Sequence, residues 1–307
     1  MINYSIIIPH YNIPDLLGRC LRSIPQRDDI QVIVVDDNSP GNEELTHKVP
    51  ELSRKGVEFY VTKDGRGAGH VRNIGLEHAV GKWLIFADSD DFFVDDISSI
   101  LDSYVNDEND VIYFNIHSCD CYNKNIRYKS KRDRLFAQYA STEKDMIFRA
   151  GCADPWGKII RRQFVVENNI TFQETRAHND LLFSVMTGVK AKAVGIVNKP
   201  MYWYVVREGS LGHQKKKEPL VKIQDRMIAW KSTQSFLVDS GIKTKMYLPT
   251  IPFIRALKRN PERIFSLIVI SGKAGCNGAL IVYELFRYLY RMAFSEHGLM
   301  LDQEIYY

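Results

Sequence analysis

Three short polar clusters stand out because each follows a run of β-branched and apolar residues. They are Pro9-His10-Tyr11-Asn12, Asp36-Asp37-Asn38 and Asp88-Ser89-Asp90-Asp91. In Asp88-Ser89-Asp90 the two carboxylates sit at i and i+2. On a chain still extended from a strand those positions point the same way. They can therefore converge on one hard cation, Mg²⁺ or Mn²⁺, which prefers oxygen ligands. Such an ion offsets the charge of a diphosphate and stabilises it as a leaving group. Asp37 can accept hydrogen bonds from a base N–H or a ribose hydroxyl, or serve as a turn or capping aspartate.

Gly65-Arg66-Gly67-Ala68-Gly69-His70-Val71-Arg72-Asn73 opens a helix, so its backbone N–H groups can face an anion and Arg72 can pair with phosphate. The Gly-x-Gly-x-Gly spacing differs from the dinucleotide fingerprint and follows the third apolar run instead of the first, which disfavours a Rossmann dehydrogenase. A Walker loop is absent. An Asp-x-Asp phosphatase would carry its motif where this chain has Pro9-His10-Tyr11-Asn12.

Asp180, at the start of an apolar helical run, can take a proton from an acceptor hydroxyl, or can simply cap that helix. Glu174 is the alternative base. Trp156, Tyr202, Trp203 and Tyr204 are candidates for stacking on a sugar or for core. His213, after a strand expected at Tyr202 to Val206, is a candidate further metal ligand or a surface loop histidine.

The elements that position these residues alternate. Apolar runs at Ser5–Ile8, Val32–Val35, Val57–Val61, Trp83–Ala87 and Val111–Asn115 are separated by helical patterns. That alternation predicts a doubly wound, mostly parallel α/β sheet flanked by helices over about residues 1–115. In such sheets ligands bind beyond the carboxyl ends of the strands, where all three clusters fall. The stretch Lys124 to Arg134 holds six basic residues and reads as a solvated loop or hairpin. Ser141 to Arg149, Arg161 to Asn168 and about 179–189 read as helical, and from Pro219 the chain reads as a helical extension broken at Pro249, Pro252 and Pro261.

The chain has 307 residues, 45% hydrophobic and 25% charged, with net charge +4, an ordinary globular composition giving no specific argument for nucleic acid. Five cysteines at spacings that suit neither disulfides nor zinc predict free thiols in a reducing compartment. No basic leader precedes the first strand and no apolar run reaches the about 18 residues needed to span a bilayer, so the expected location is cytoplasmic. The apolar stretch Gly278 to Phe294, with Phe265 to Ile270, is a candidate for packing on its own domain, for a homodimer contact or for peripheral contact with the inner face of the membrane, helped by Lys215-Lys216-Lys217.

Taken in order, Ser5-Ile6-Ile7-Ile8-Pro9-His10-Tyr11-Asn12, Val34-Val35-Asp36-Asp37-Asn38-Ser39, Arg72-Asn73-Ile74-Gly75-Leu76 and Leu84-Ile85-Phe86-Ala87-Asp88-Ser89-Asp90-Asp91 resemble the inverting glycosyltransferases of family 2, which have the GT-A fold. Trp156-Gly157-Lys158-Ile159-Ile160 and Tyr202-Trp203-Tyr204 resemble features of the acceptor half. The resemblance implies a nucleotide-sugar-binding half at 1–115 and an acceptor-binding half at 116–215; it does not reach 216–307, which reads as the helical extension. It places Pro9, Tyr11 and Asp37 at the nucleoside, usually uridine, with Asn12, Arg72 and Ser89 on the donor side. Asp88 lies near ribose and metal, and Asp90 binds the metal. The family's base is the second residue of a Glu-Asp pair, here Asn179-Asp180, a departure at the first residue. Trp156 would face a saccharide or lipid-linked saccharide acceptor, as in surface polysaccharide or glycolipid synthesis. Two other readings stay open: a metal-dependent nucleotidyltransferase, whose basic glycine-rich loop would follow the first strand, and an inactive nucleotide-sugar-binding module, which has no use for Asp88, Asp90 and Asp180 together.

Overall fold

A computed structural model describes residues 1–121, 126–207, 219–243 and 247–294. They divide into two compact units, one of Met1–Glu174 with Phe183–Gln214 and the other of Thr175–Leu182 with Lys215–Tyr307.

In the first unit the strands are β1 (Tyr4–His10), β2 (Ile30–Asp36), β3 (Val57–Val61), β4 (Trp83–Phe86), β5 (Phe92–Phe93), β6 (Val111–Asp120), β7 (Lys158–Arg161) and β8 (Val194–Val206). They form one sheet in the order β3-β2-β1-β4-β7-β6-β8-β5. The pairs among β3, β2, β1 and β4 are parallel, as is β6 with β8, while β7 and β5 run antiparallel to their neighbours. The helices are α1 (Pro14–Arg22), α2 (Leu45–Lys48), α3 (Ala68–His78), α4 (Ile97–Tyr104), α5 (Lys131–Thr142), α6 (Met146–Gly151), α7 (Arg162–Glu167) and α8 (Leu181–Lys190), whose first two residues belong to the second unit.

The period of two along each strand divides the core. Ile6, Ile8, Val32, Val34 and Ile85 meet Leu17 and Leu21 of α1 and Ile100 and Leu101 of α4. Ile7, Ile33, Val35 and Phe86 face the other way, against Val71 of α3, Phe148 of α6 and Phe183 of α8. Helices thus cover both faces, which is why the central strands read as unbroken apolar runs. Gly75 sets the α3–β1 spacing: a Cβ there would fall 2.4 Å from Ile7 Cγ2.

Two departures from the expected elements have clear causes. The basic stretch is not all loop, because Lys131 starts α5 behind a capping box in which Ser130 and Asp133 each bond the other's backbone N–H. Arg132, 2% exposed, turns inward and donates to the carbonyls of Phe114, Trp156 and Gly157. The strand expected at 202–206 begins at Val194 and pairs with β6 across two register shifts at Asn115. Those irregularities break the alternation that would have revealed its first half.

The second unit contains α9 (Leu220–Asp239), α10 (Ile251–Arg259), α11 (Ile264–Lys273) and α12 (Gly278–Phe294) around a core of its own that includes Met227, Phe253, Leu267 and Ile281. Among the described residues no helix is long and apolar enough to cross a membrane.

Candidate active site

The strand order reverses between β1 and β4: β2 and β3 lie to one side of β1, β4 to the other. Parallel sheets bind ligands beyond the carboxyl ends of strands at such a reversal. The loop after β4 carries Asp88, Asp90 and Asp91, whose carboxylates bring one oxygen each within 4.8 Å of one another. Repulsion and burial act together there. Desolvation and the neighbouring Asp88 push the Asp90 carboxyl above its ordinary range, against the pull of Arg207. Desolvation with Asp90 and Asp88 raises Asp91 further.

β8 and the residue that follows it brace this loop three times. The Tyr202 hydroxyl accepts the Asp88 N–H at 2.8 Å, Asp91 Oδ1 accepts the Val205 N–H at 2.7 Å, and Arg207 Nε donates to Asp90 Oδ2 at 2.8 Å. From α1, Arg19 donates to the Asp90 carbonyl at 2.5 Å. Arg72 on α3, 4% exposed, donates to Asp88 Oδ1 at 2.6 Å. The all-oxygen donor set fits a hard divalent cation, which would relieve the repulsion among the three groups. All three could contribute an oxygen: Asp91 Oδ1 accepts the Val205 amide but its buried Oδ2 has no hydrogen-bond partner among the described residues, and Asp88 and Asp90 are partly exposed. Ser89 between them is 5% exposed.

The β1 and β2 ends are locked together by a buried relay. Ile13 N–H donates to His10 Nε2 at 3.1 Å, so the His10 proton lies on Nδ1, which donates to Asp36 Oδ1 at 2.6 Å. Asp36 also accepts the N–H and hydroxyl of Ser39, both at 2.7 Å, and Ser39 Oγ accepts the Asn12 N–H at 2.7 Å. Burial alone would raise the Asp36 carboxyl; His10 and Ser39 hold it below its ordinary range instead. Asn12 and Asn38 take positive φ, 52° and 58°, which Asn tolerates better than most side chains. Pro9 is the penultimate residue of β1, and Tyr11, 56% exposed, stands out beyond its end.

Asp37 accepts the N–H groups of Arg66 at 3.0 Å and Gly67 at 2.8 Å. Its carboxylate thus fixes the glycine-rich loop at the start of α3, with Gly67 at φ 92°. Burial raises this carboxyl despite those two donors. Glu174 ties the same loop down, accepting from Arg66 and from His70 Nδ1. The hydrogen bond from His70 and the charge of Arg66 hold Glu174 below the ordinary carboxylate range.

Asp180 lies in the second unit, in the turn before α8. That turn is shaped by its own neighbours: Leu181 N–H donates to the His178 carbonyl, Asn179 Nδ2 donates to the Thr175 carbonyl at 3.2 Å, and His178 takes φ 55°. From α9, the Trp230 ring meets His178 edge-on at 5.2 Å, and Asp225 accepts the Arg176 N–H. Asn179, where the family has Glu, therefore has a turn-forming role here. Trp156, 8% exposed, stacks on Tyr202 and Tyr204 at 5.6 and 5.4 Å, in the core. His213 lies outside the described residues.

Sequence reading missed Arg207, Arg19, the Tyr202 hydroxyl and the His10–Asp36 pair as parts of the site. The only signal for the last was that His10 and Asp36 are themselves members of two of the polar clusters; the others depend on pairings between distant segments.

Comparisons with known proteins agree with this geometry. The Staphylococcus aureus (strain Mu50) poly(ribitol-phosphate) beta-N-acetylglucosaminyltransferase TarS is 25% identical over 222 residues, 68% of this chain and 36% of TarS. The putative glycosyltransferase EpsH of Bacillus subtilis is 23% identical over 258 residues, 79% of this chain and 71% of that protein. The chain thus spans about a third of the length of TarS. The crystal structure of S. aureus TarS 1–349 in complex with UDP-GlcNAc superposes with a TM-score of 0.58 at 20% identity, covering 74% of this chain and 65% of that one, a GT-A fold in common. Residues 5–168, more than half of the sequence, match the description Glycosyl transferase family 2, and the chain belongs to that family.

Proposed function

We propose that this chain transfers a sugar from a nucleoside diphosphate, with uridine as the base, to an acceptor hydroxyl with inversion at the anomeric carbon. The observation that carries the proposal is the convergence of Asp88, Asp90 and Asp91, with Arg72 and Arg207 against them, in the loop after β4. The donor complex of TarS and the sugar-transferase names of the relatives support the same donor class. The poly(ribitol-phosphate) in the name of TarS supports surface-polymer synthesis as the setting, with a saccharide or lipid-linked saccharide as the acceptor in this reading. Free thiols on all five cysteines suit a cytoplasmic setting.

In this reading Tyr11 and Pro9 flank the base, Asp37 meets base or ribose, and Arg72 faces the diphosphate. Asp88 and Asp90 would hold a Mn²⁺ or Mg²⁺ ion, which would supply positive charge to a departing diphosphate. Asp180 takes the proton of the acceptor hydroxyl. That oxygen bonds to the anomeric carbon from the face opposite the diphosphate, while the bond from that carbon to the diphosphate oxygen breaks and its electron pair leaves with the diphosphate. Residues 1–115 serve the donor and 116–215 the acceptor, with 216–307 an extension.

Thermal-shift titration with UDP, UDP-glucose and UDP-N-acetylglucosamine, with and without Mn²⁺, tests base, sugar and metal together. Stabilisation that needs both nucleotide and Mn²⁺ is expected. Equal response to ATP, or none to any uridine nucleotide, overturns the donor assignment.

A further inference from the structure

The helices α11 and α12 are apolar on two sides. Toward the core of their own unit they bury Leu267 and Ile270, and Ile281 and Tyr288. Away from it they present Phe265, Ile268 and Val269 on α11 and Tyr283, Phe286 and Tyr290 on α12. These are not glancing exposures: Phe265 is 76%, Phe286 70% and Tyr290 65% exposed. The spacings Phe265-Ile268-Val269 and Tyr283-Phe286-Tyr290 each follow one helical stripe. A helix apolar on two sides normally has a partner for each, and the side that carries Phe265 and Phe286 lies away from the core of its own unit.

The charge says what the partner is. Residues 215–307 carry 15 Lys and Arg against 8 Asp and Glu, a surplus of +7, while residues 1–214 carry 26 against 29, a net −3. The net charge of +4 is therefore the difference between a basic segment and a slightly acidic remainder. Exposed Lys258 and Arg259 end α10, Lys273 ends α11, and Arg291 lies near the end of α12. Lys258 sits 5.9 Å from the Tyr288 ring, which places α10 beside α12. A second copy of this chain would set basic face against basic face, which is repulsive. An anionic bilayer meets both features: its interface takes up Phe side chains and the amphipathic rings of Tyr, and its headgroups attract Lys and Arg. With 17 residues, α12 spans about 26 Å at ~1.5 Å per residue, which suits lying in the interface.

We propose that the outward face of α11 and α12 docks on the surface of an anionic lipid bilayer, with the basic ends of α10, α11 and α12 against the headgroups. The inference does not rest on the catalytic reading above.

Sedimentation with phosphatidylcholine vesicles, with and without phosphatidylglycerol, tests it. The intact chain is expected to pellet with the anionic vesicles and to be released as salt is raised. Phe265→Ser with Phe286→Ser should weaken vesicle binding at least about tenfold, and Lys258→Glu with Arg259→Glu by a similar factor. All four side chains are exposed, so an unchanged melting temperature accompanies the loss. Absence of vesicle binding, equal binding to neutral vesicles, or binding indifferent to both variants overturns the proposal. So does a dimer in sedimentation equilibrium that the Phe variant abolishes without any vesicle binding, which would assign the face to a second copy. Sugar transfer to a soluble acceptor reads the catalytic reading separately and should persist in both variants.

Discussion

Asp88 and Asp90 each face a guanidinium, Arg72 and Arg207 respectively, at the place where a diphosphate and its cation would enter. Removing one carboxylate therefore removes a proposed metal ligand and one partner of an arginine at once. Asp90→Ala is expected to abolish the Mn²⁺-dependent part of donor binding; titration calorimetry with and without the metal reads it, and unchanged metal dependence would take Asp90 out of the ligand set. Asp180→Asn keeps the shape of the turn but cannot accept a proton. It should bind donor normally and lose transfer by about 10²–10⁴-fold, the usual worth of a positioned base. Normal turnover would end the base assignment. Asp36 is a different kind of carboxylate, buried and held ionised by His10 and Ser39. Its folded value lies below the ordinary one, so its stabilisation is present above the ordinary carboxylate range and is lost as pH falls through the lower folded value. Asp36→Ala should cost about 3 kcal/mol at neutral pH by stranding several buried donors, and should flatten the acid limb of the stability profile. Chemical denaturation across pH measures both.

At the scale of elements, what could be read in advance was what local sequence controls. Buried parallel strands leave unbroken β-branched runs, so β1 to β4 and the acidic loop after β4 were legible with their order. The helix α3 and its Arg72 were legible because glycines mark its start. Arg132 was not: an arginine among five other basic residues reads as solvated, and only the carbonyls it meets from Phe114, Trp156 and Gly157 explain its burial. Arg207 was not, because its partner lies 117 positions away. β8 was half legible, since its register shifts beside Asn115 interrupt the period of two. The packing of α3 on β1 carries its own prediction. An added methyl at Gly75 would overlap Ile7 Cγ2, and Ile7 is fully buried in a central strand. Gly75→Ala should therefore lower stability by about 1–3 kcal/mol. Because α3 carries Arg72, it should weaken donor binding too; calorimetric melting and a UDP titration on the same variant separate the two effects.

For the molecule as a whole, the division into two units separates the residues assigned to the donor from the residue assigned to proton removal. Pro9, Tyr11, Asp37, Arg72, Asp88 and Asp90 all belong to the first unit, and Asp180 to the second. Each unit has its own core, with Ile7, Val35 and Phe86 in one and Met227, Leu267 and Ile281 in the other. The turn bearing Asp180 is held within the second unit by Asp225 and Trp230 of α9, a helix whose Met227 belongs to that second core. A cavity made there should act on the turn while leaving the first unit's loops in place. Leu267, 1% exposed, is the test position: Leu267→Ala should destabilise the second unit by about 2–5 kcal/mol. Donor binding with Mn²⁺ should remain near that of the unaltered chain while transfer falls, so that binding and turnover part company in a variant that touches neither ligand nor base. If the substitution instead lowers donor affinity and turnover in equal measure, the two cores do not act separately and the division of labour between the units is wrong.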